Sequence, residues 1–154
     1  MLQKQKETIL ALLKSDKANK NYERNYMFSY KDYLDPTDKF TDFSCESLDG
    51  KLEYITLIEN LLNADETAKI FVQVYGLDKD NSDEFIYADT LIIFSTLPLL
   101  EIRRIFNEPK DIFPSDIGEE TDLLQDFVVD DNGNLFPVVN LFNSSYSAYY
   151  CWWD

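Results

Sequence analysis

The sequence contains no histidine, only two cysteines and only four glycines among its 154 residues. Without imidazole, the chain has no histidine general base, no Ser-His or Cys-His nucleophile pair and no His-ligated metal site. The glycines stand at positions 50, 76, 118 and 133, and none lies in a GxGxxG or GxxxxGK(S/T) phosphate-binding frame. These absences argue against an enzyme, and the sequence predicts a protein with no cofactor and no metal.

Basic residues are also scarce, with 14 Lys and Arg against 29 Asp and Glu, which gives a net charge of −15. The imbalance is uneven along the chain. The first 40 residues hold eight basic and six acidic side chains, whereas the 44 residues after Lys110 hold nine acids and no base. Phosphate binding requires a basic patch, so we expect no direct binding to nucleic acid and none to an anionic membrane.

The chain has no long hydrophobic run. Its longest apolar stretch, residues 90–100, is interrupted by Ser95, Thr96 and Pro98, and a membrane-spanning helix needs about 20 apolar residues. The apolar segment near the start, residues 9–13, runs directly into Lys14 and does not resemble a signal peptide. Cys45 and Cys151 form no CxxC pair, so we read both as free thiols. The expected location is the cytoplasm.

Hydrophobic and aromatic residues make up 45% and 15% of the chain, enough for one folded domain over residues 1–154. Periodicity predicts the element order α-α-β-β-α-β-β-β, an α+β domain with a largely antiparallel sheet. An aromatic-rich segment, 20–47, is expected to be irregular with a short strand near 26–30. The predicted helices are 2–15, 50–63 and 96–107, and the predicted strands are 69–75, 84–94, 125–129, 135–142 and 145–153.

Two turn regions add detail to this prediction. Asn132-Gly133 tolerates positive φ at both positions and predicts a hairpin between the strands expected at 125–129 and 135–142. Residues 78–89 resemble an EF-hand calcium loop, but position six is Asp83 instead of glycine and position twelve is Asp89 instead of glutamate. We therefore expect a solvated acidic hairpin loop there. Thr96 is expected to cap the third helix, with Pro98 in its first turn.

Acidic and aromatic residues dominate the last third of the chain. Aromatic side chains serve as anchors in protein interfaces, and an acidic field steers a basic partner. If the last strand alternates, Tyr149, Cys151 and Trp153 face one side of the sheet, and the other aromatics face the opposite side. An alternative is that half of these aromatics are core and the acids only confer solubility. The predicted partner-binding residues are Asp111, Asp116, Glu119, Glu120, Asp122, Asp126, Asp130, Asp131, Tyr149 and Trp153.

In overall character, the chain resembles bacterial toxin-immunity proteins, including those of contact-dependent inhibition. The shared features are small size, acidity, an α+β domain rich in aromatics and no catalytic residues. The resemblance implies a stoichiometric inhibitor that covers the basic, phosphate-binding site of a nuclease-type toxin. Carboxylates placed where phosphates bind would exploit the toxin's affinity for nucleic acid.

Two other readings stay open at this point. A DNA mimic, such as an anti-restriction protein, would carry many carboxylates in an extended double row, whereas an immunity protein would concentrate them on one concave patch. A generic intracellular protein-interaction domain would need neither arrangement. The layout of surface charge therefore distinguishes these alternatives.

Overall fold

Nine β-strands and four α-helices make up the part of the chain that the structure, a computed structural model, describes: residues 1–21, 23–44, 50–76, 85–109, 111–142 and 145–154. The helices are α1 (Gln3–Ala18), α2 (Tyr30–Tyr33), α3 (Gly50–Ala64) and α4 (Leu99–Asn107), with a 3₁₀ helix at Val138–Leu141. The strands are β1 (Asn25–Ser29), β2 (Thr41–Phe43), β3 (Lys69–Tyr75), β4 (Ile86–Ala88), β5 (Thr90–Ser95), β6 (Asp116–Glu119), β7 (Phe127–Val129), β8 (Leu135–Pro137) and β9 (Ser147–Trp152).

Seven of the strands form one sheet in the order β6-β9-β5-β3-β1-β7-β8. Every neighbouring pair in it is antiparallel except β1 and β7, which run parallel. Strands β2 and β4 form a separate parallel pair. The α+β class and the mostly antiparallel sheet are thus confirmed, and the predicted pairing of the segments before and after residues 76–83 is seen as the β3–β5 ladder.

The larger core lies between one face of the sheet and the helices. Alternate residues of the strands point into it, as the period-two pattern requires, and each helix contributes one apolar side. In α4 the buried residues are Ile102, Ile105 and Phe106, which recur at helical spacing on one side of the helix. The last strand follows the predicted alternation, with Tyr149, Cys151 and Trp153 in this core.

The opposite face of the sheet, called here the second face, is covered over part of its area by chain without regular helices. The 120–126 link crosses it between β6 at one edge and β7 near the other, and Leu123 packs there with Ile92 and Phe94. The 3₁₀ helix adds Val138, whose N–H donates to the carbonyl of Asp126. These segments leave part of the second face open.

Several element boundaries differ from the prediction. Helix α1 continues to Ala18, and the strand expected over 84–94 is divided into β4 and β5 at Asp89. Helix α4 has Pro98 as its N-cap residue, so the expected Thr96 cap is wrong; the Thr96 hydroxyl instead donates to the carboxylate of Asp65. Strands β2 and β6 are additional, and the strand expected over 135–142 ends at Pro137, where the 3₁₀ helix begins.

The hairpin at β7 and β8 is confirmed, but only its glycine adopts positive φ, +77° at Gly133. The N–H of Gly133 donates to the carbonyl of Asp130, and the N–H groups of Asn132 and Asn134 donate to the Asp130 carboxylate. This is a tight turn followed by a left-handed glycine. Helix α1 also approaches closely, since a Cβ on Gly133 would lie 2.5 Å from the Thr8 hydroxyl.

Some sequence predictions fall on other parts of the chain. Cys45 and most of the calcium-like loop, residues 78–84, lie outside the described residues. No helix within the described ranges is both long enough and apolar enough to cross a membrane. Cys151 is a buried free thiol.

Candidate binding pocket and acidic face

The open part of the second face contains a pocket of about 250 Å³. Strands β3, β5 and β9 form its floor and walls, and the start of the 120–126 link closes one side. The pocket is lined by Gln73, Tyr75, Thr90, Glu120, Tyr150 and Trp152. Three aromatic rings, two neutral polar side chains and one carboxylate therefore surround the same space.

The polar floor of the pocket is fixed by strand register. Gln73 of β3 and Thr90 of β5 are direct partners across the ladder, and both are nearly completely buried. Two polar side chains facing each other on an otherwise apolar sheet need hydrogen-bond partners. Those partners come from carboxylates that surround the pocket.

Most hydrogen-bond donors in the pocket are already engaged with carboxylates or with each other. The Thr90 hydroxyl donates to Asp89 at 2.8 Å, so the 2.7 Å contact between Tyr75 and Thr90 must use the tyrosine proton. The indole N–H of Trp152 donates to the second oxygen of Asp89 at 3.2 Å. The Tyr150 hydroxyl donates to Asp116 at 2.7 Å.

Gly118 explains how the ring of Tyr150 takes its place. The two residues are register partners between β6 and β9, and a Cβ at position 118 would lie 2.7 Å from the Tyr150 hydroxyl oxygen and 2.8 Å from two ring carbons. The absence of a side chain at Gly118 lets the ring lie against the edge strand. Because of this close approach, the Tyr150 hydroxyl reaches Asp116.

Asp126 lies behind the pocket and holds the carboxamide of Gln73. Its carboxylate accepts hydrogen bonds from Gln73 at 2.8 Å and from Asn25 at 3.4 Å, and the residue is only 2% exposed. Burial raises the pKa of Asp126 to about 6, and repulsion from Glu120 adds to the effect, against the two amide hydrogen bonds.

Replacement of Asp126 by asparagine tests this assignment. The folded protein keeps a proton on Asp126 up to about pH 6, whereas the unfolded carboxyl loses it near the ordinary pKa of 3.8. The folded state therefore binds more protons in this interval, and the free energy of unfolding falls as pH rises through it. We expect Asp126→Asn to remove this loss and to stabilise the protein by about 1–3 kcal/mol at neutral pH.

Urea unfolding of both proteins at about pH 4, 5, 6 and 7.5 measures the difference. The variant should gain stability relative to the parent as pH rises, with most of the change complete by about pH 7. Parallel stability curves for the two proteins would contradict the raised pKa.

The structure separates the predicted partner-binding acids into groups. Asp116, Glu120 and Asp122 lie around the pocket: the first accepts from Tyr150, the second lines the cavity, and the backbone N–H of the third donates to Glu120. Together with Asp89, they are called here the acidic face. Asp126 is buried beneath them, so its predicted role as a surface contact is wrong.

The remaining acids lie elsewhere. Glu119 is exposed on the edge strand, but alternation places its side chain on the face of Ile117, which is in the helix-side core. Asp130 and Asp131 belong to the hairpin near α1, where repulsion from Asp32 raises the pKa of Asp131. Asp111 lines a different cavity, of about 270 Å³, between α3 and the segment after α4.

Tyr149 and Trp153 are not available to a partner, and this part of the site prediction is wrong. They are 3% and 5% exposed. The Tyr149 hydroxyl donates to the carbonyl of Leu97, and the Trp153 indole donates to the carbonyl of Ile112. Their neighbours on β9, Tyr150 and Trp152, are the aromatics that reach the pocket.

No carboxylate of the acidic face forms an ion pair with another described residue. Within those ranges, the ion pairs join the N-terminus to Asp38 and Arg104 to Glu101. The hydrogen bond to Asp116 raises the pKa of Tyr150, and the positive charge of Arg103 opposes this rise. The Arg103 guanidinium donates to the carbonyl of Ile117. No cluster of three or more carboxylates or thiols in the described part is arranged to hold a metal ion.

Sequence reasoning missed Gln73, Tyr75 and Thr90, although a signal was present. Gln73 is the single polar interruption of the apolar run that follows Lys69 in β3, and Thr90 opens the apolar run of β5. A hairpin between these strands brings two such polar residues near each other.

Comparison with protein-family models, with curated proteins and with solved structures finds no significant match to this chain.

Proposed function

We propose that the chain is a non-enzymatic binding protein of the toxin-immunity type, which neutralises a basic, nuclease-type toxin by stoichiometric binding. The observation that carries the proposal is the acidic face: Asp89, Asp116, Glu120 and Asp122 surround one concave pocket and form no ion pair within the described residues. A basic partner supplies the missing positive charge.

The electrostatics of such a contact favour association. Carboxylates that are fixed before binding attract a basic surface at long range and lose little freedom when the complex forms. Asp116 and Asp89 illustrate this preorganisation. Asp116 accepts a hydrogen bond from the Tyr150 hydroxyl, and Asp89 accepts one from the Trp152 indole. A site that binds phosphate in the toxin would accept such carboxylates in its place.

The distribution of charge favours this function over DNA mimicry. A mimic needs carboxylates along an extended double row, but the acids of residues 111–131 separate into a group at the pocket, a pair at the hairpin beside α1 and Asp111 at another cavity. One concave acidic face fits a single complementary partner. A protein partner is therefore the better reading, and neither nucleic acid nor a membrane is expected to bind.

Charge reversal beside the pocket tests the proposed function. We expect Asp122→Lys to weaken partner binding by about tenfold, because it replaces attraction with repulsion at the rim. Asp122 is exposed, and its side chain accepts no hydrogen bond from another described residue. The matched control is Glu66→Lys, which makes the same change in charge at an exposed position just after α3.

The measurement is affinity capture from the native cell lysate at about 50 mM and about 500 mM salt, followed by identification of bound proteins. One basic protein at equal stoichiometry, retained by the control and lost with the rim variant, supports the proposal, and its nuclease activity should then fall to zero at one equivalent. Several DNA-binding enzymes, all released at high salt, would point to mimicry. Equal retention by both variants would contradict the acidic face as the binding surface.

A further inference from the structure

The pocket on the second face is chemically biased toward one kind of ligand. Its lining supplies few free donors, because the side-chain protons of Tyr75, Thr90, Tyr150 and Trp152 are donated to neighbours. What remains toward the cavity is mostly hydrogen-bond acceptors and aromatic faces. A ligand that fits must therefore donate several hydrogen bonds.

Gln73 provides a specific acceptor. Only 4% of the surface of this residue is exposed, and its Nε2 donates to Asp126. Its Oε1 accepts no hydrogen bond from any described residue, yet no fully buried polar side-chain atom in the described part lacks a partner. The oxygen is consequently reached through the cavity that Gln73 lines. A buried acceptor opening into a pocket needs a donor from outside the chain.

The charge of the pocket selects a cation. Glu120 lines the cavity, Asp89 and Asp116 stand directly behind its aromatic residues, and none of the three forms an ion pair within the described ranges. Aromatic faces of tyrosine and tryptophan attract cations through the ring quadrupole, most strongly when the cation is planar and weakly hydrated.

The size of the pocket limits the ligand to a small group. At about 250 Å³, the pocket is below the volume of roughly 300–1,000 Å³ that drug-sized ligands occupy, so a nucleotide or an oligosaccharide would not be enclosed. A single cationic head group fits. The guanidinium group is planar, stacks on aromatic rings and carries five N–H donors, which matches the acceptors of Gln73, Tyr150 and Glu120.

We propose that this pocket binds a guanidinium group. Only the source of this group rests on the proposed function: there, it is an arginine side chain on the surface of the basic partner. The same chemistry is present in a free guanidino compound, and the two sources are distinguished below. Arginine inserted between Tyr150 and Trp152 would act as the central anchor, with the acidic face around it.

The two tryptophans give a direct measurement on the full ¹⁵N-labelled chain. The indole N–H of Trp152 lies at the pocket, and that of Trp153 is bonded to Ile112 in the opposite core. N-acetyl-L-arginine methylamide should shift the Trp152 indole resonance saturably and leave that of Trp153 unchanged. The neutral analogue N-acetyl-L-citrulline methylamide should bind about tenfold more weakly or worse, and the corresponding lysine derivative about threefold more weakly.

Adjacent glutamates supply the matched variants. Glu120→Gln removes the charge but keeps the acceptor for the N–H of Asp122, and we expect it to weaken arginine-derivative binding by about fivefold or more. Glu119→Gln makes the same change on the other face of the sheet and should leave binding unaltered. Equal affinity for the arginine and citrulline derivatives, or equal effects of the two variants, would overturn the proposal.

Comparison with free L-arginine, which has the same net charge, identifies the source. Tighter binding of the blocked derivative indicates a protein side chain, and tighter binding of the free amino acid indicates a small molecule; both support a guanidinium site. The absence of any saturable shift would overturn it while leaving the capture experiment with the rim variant unaffected. The two proposals can thus fail separately.

Discussion

Asp65→Ala should destabilise the folded protein by about 3–5 kcal/mol, enough to lower Tm by about 10 °C or more. Asp65 is 7% exposed and follows the end of α3. One carboxylate oxygen accepts from the N–H and hydroxyl of Thr67, and the other accepts from the Ser95 hydroxyl at 2.7 Å and the Thr96 N–H at 2.9 Å. Alanine would leave these donors without their partner.

The same contacts make Asp65 sensitive to acid. Burial opposes its ionisation, but the hydrogen bonds from Thr67, Ser95 and Thr96 outweigh burial and hold the pKa below the ordinary value of 3.8. Since the folded-state pKa is lowered, the stabilisation is present above about pH 4 and is lost as pH falls below it. Asp65→Ala should therefore lose most stability near neutral pH and less in acid.

Asp35→Ala provides the matched control, because Asp35 forms the same local turn. Its carboxylate accepts from the N–H of Thr37 at 2.9 Å and from its hydroxyl at 2.8 Å, with no counterpart of Ser95 or Thr96. The control should lose about 1 kcal/mol or less in urea unfolding followed by circular dichroism. If Asp65→Ala loses no more than Asp35→Ala, the link from α3 to the end of β5 does not stabilise the fold.

The parts of the fold that the sequence predicts best are those with a strong period. Helix α3 and strand β3 agree with their predicted ranges within a residue, because apolar side chains recur there at helical or alternating spacing and are buried where the pattern requires. Strand β6 has no such pattern, since Asp116, Gly118 and Glu119 leave Ile117 as its one buried residue. It is held by backbone pairing with β9, and no local preference reveals that partner.

The candidate site shows the same division. Alternation in the last strand was predictable, but both of its faces are apolar, so the pattern alone could not tell which aromatics lie in the core. The decision depends on β6, where Gly118 makes room for Tyr150 on the second face. Likewise, eight acids of residues 111–131 look equivalent in sequence. The path of the 120–126 link buries Asp126 and leaves Asp122 exposed, which only the tertiary structure determines.

The adjacent tryptophans at the end of the chain should respond in opposite ways to substitution. Trp153 packs against Phe43, Tyr54 and Phe106 with ring centroids 5.7, 5.0 and 6.4 Å away. Its removal leaves a cavity at the centre of this aromatic cluster, and we expect Trp153→Ala to lose about 3–5 kcal/mol in urea unfolding.

Trp152→Ala is the matched control for this core position. Trp152 is 36% exposed on the opposite face, so its loss should lower the free energy of unfolding by about 1 kcal/mol or less. The same substitution should weaken binding of the arginine derivative by about fivefold or more. Trp153→Phe, which keeps a ring but loses the hydrogen bond to Ile112, should fall between them at about 1–2 kcal/mol. If Trp153→Ala proves no more destabilising than Trp152→Ala, the assignment of the two side chains to core and pocket is wrong. A large loss of stability with Trp153→Ala and a loss mainly of binding with Trp152→Ala would show that Trp153 holds the sheet against its helices and that Trp152 contacts the ligand.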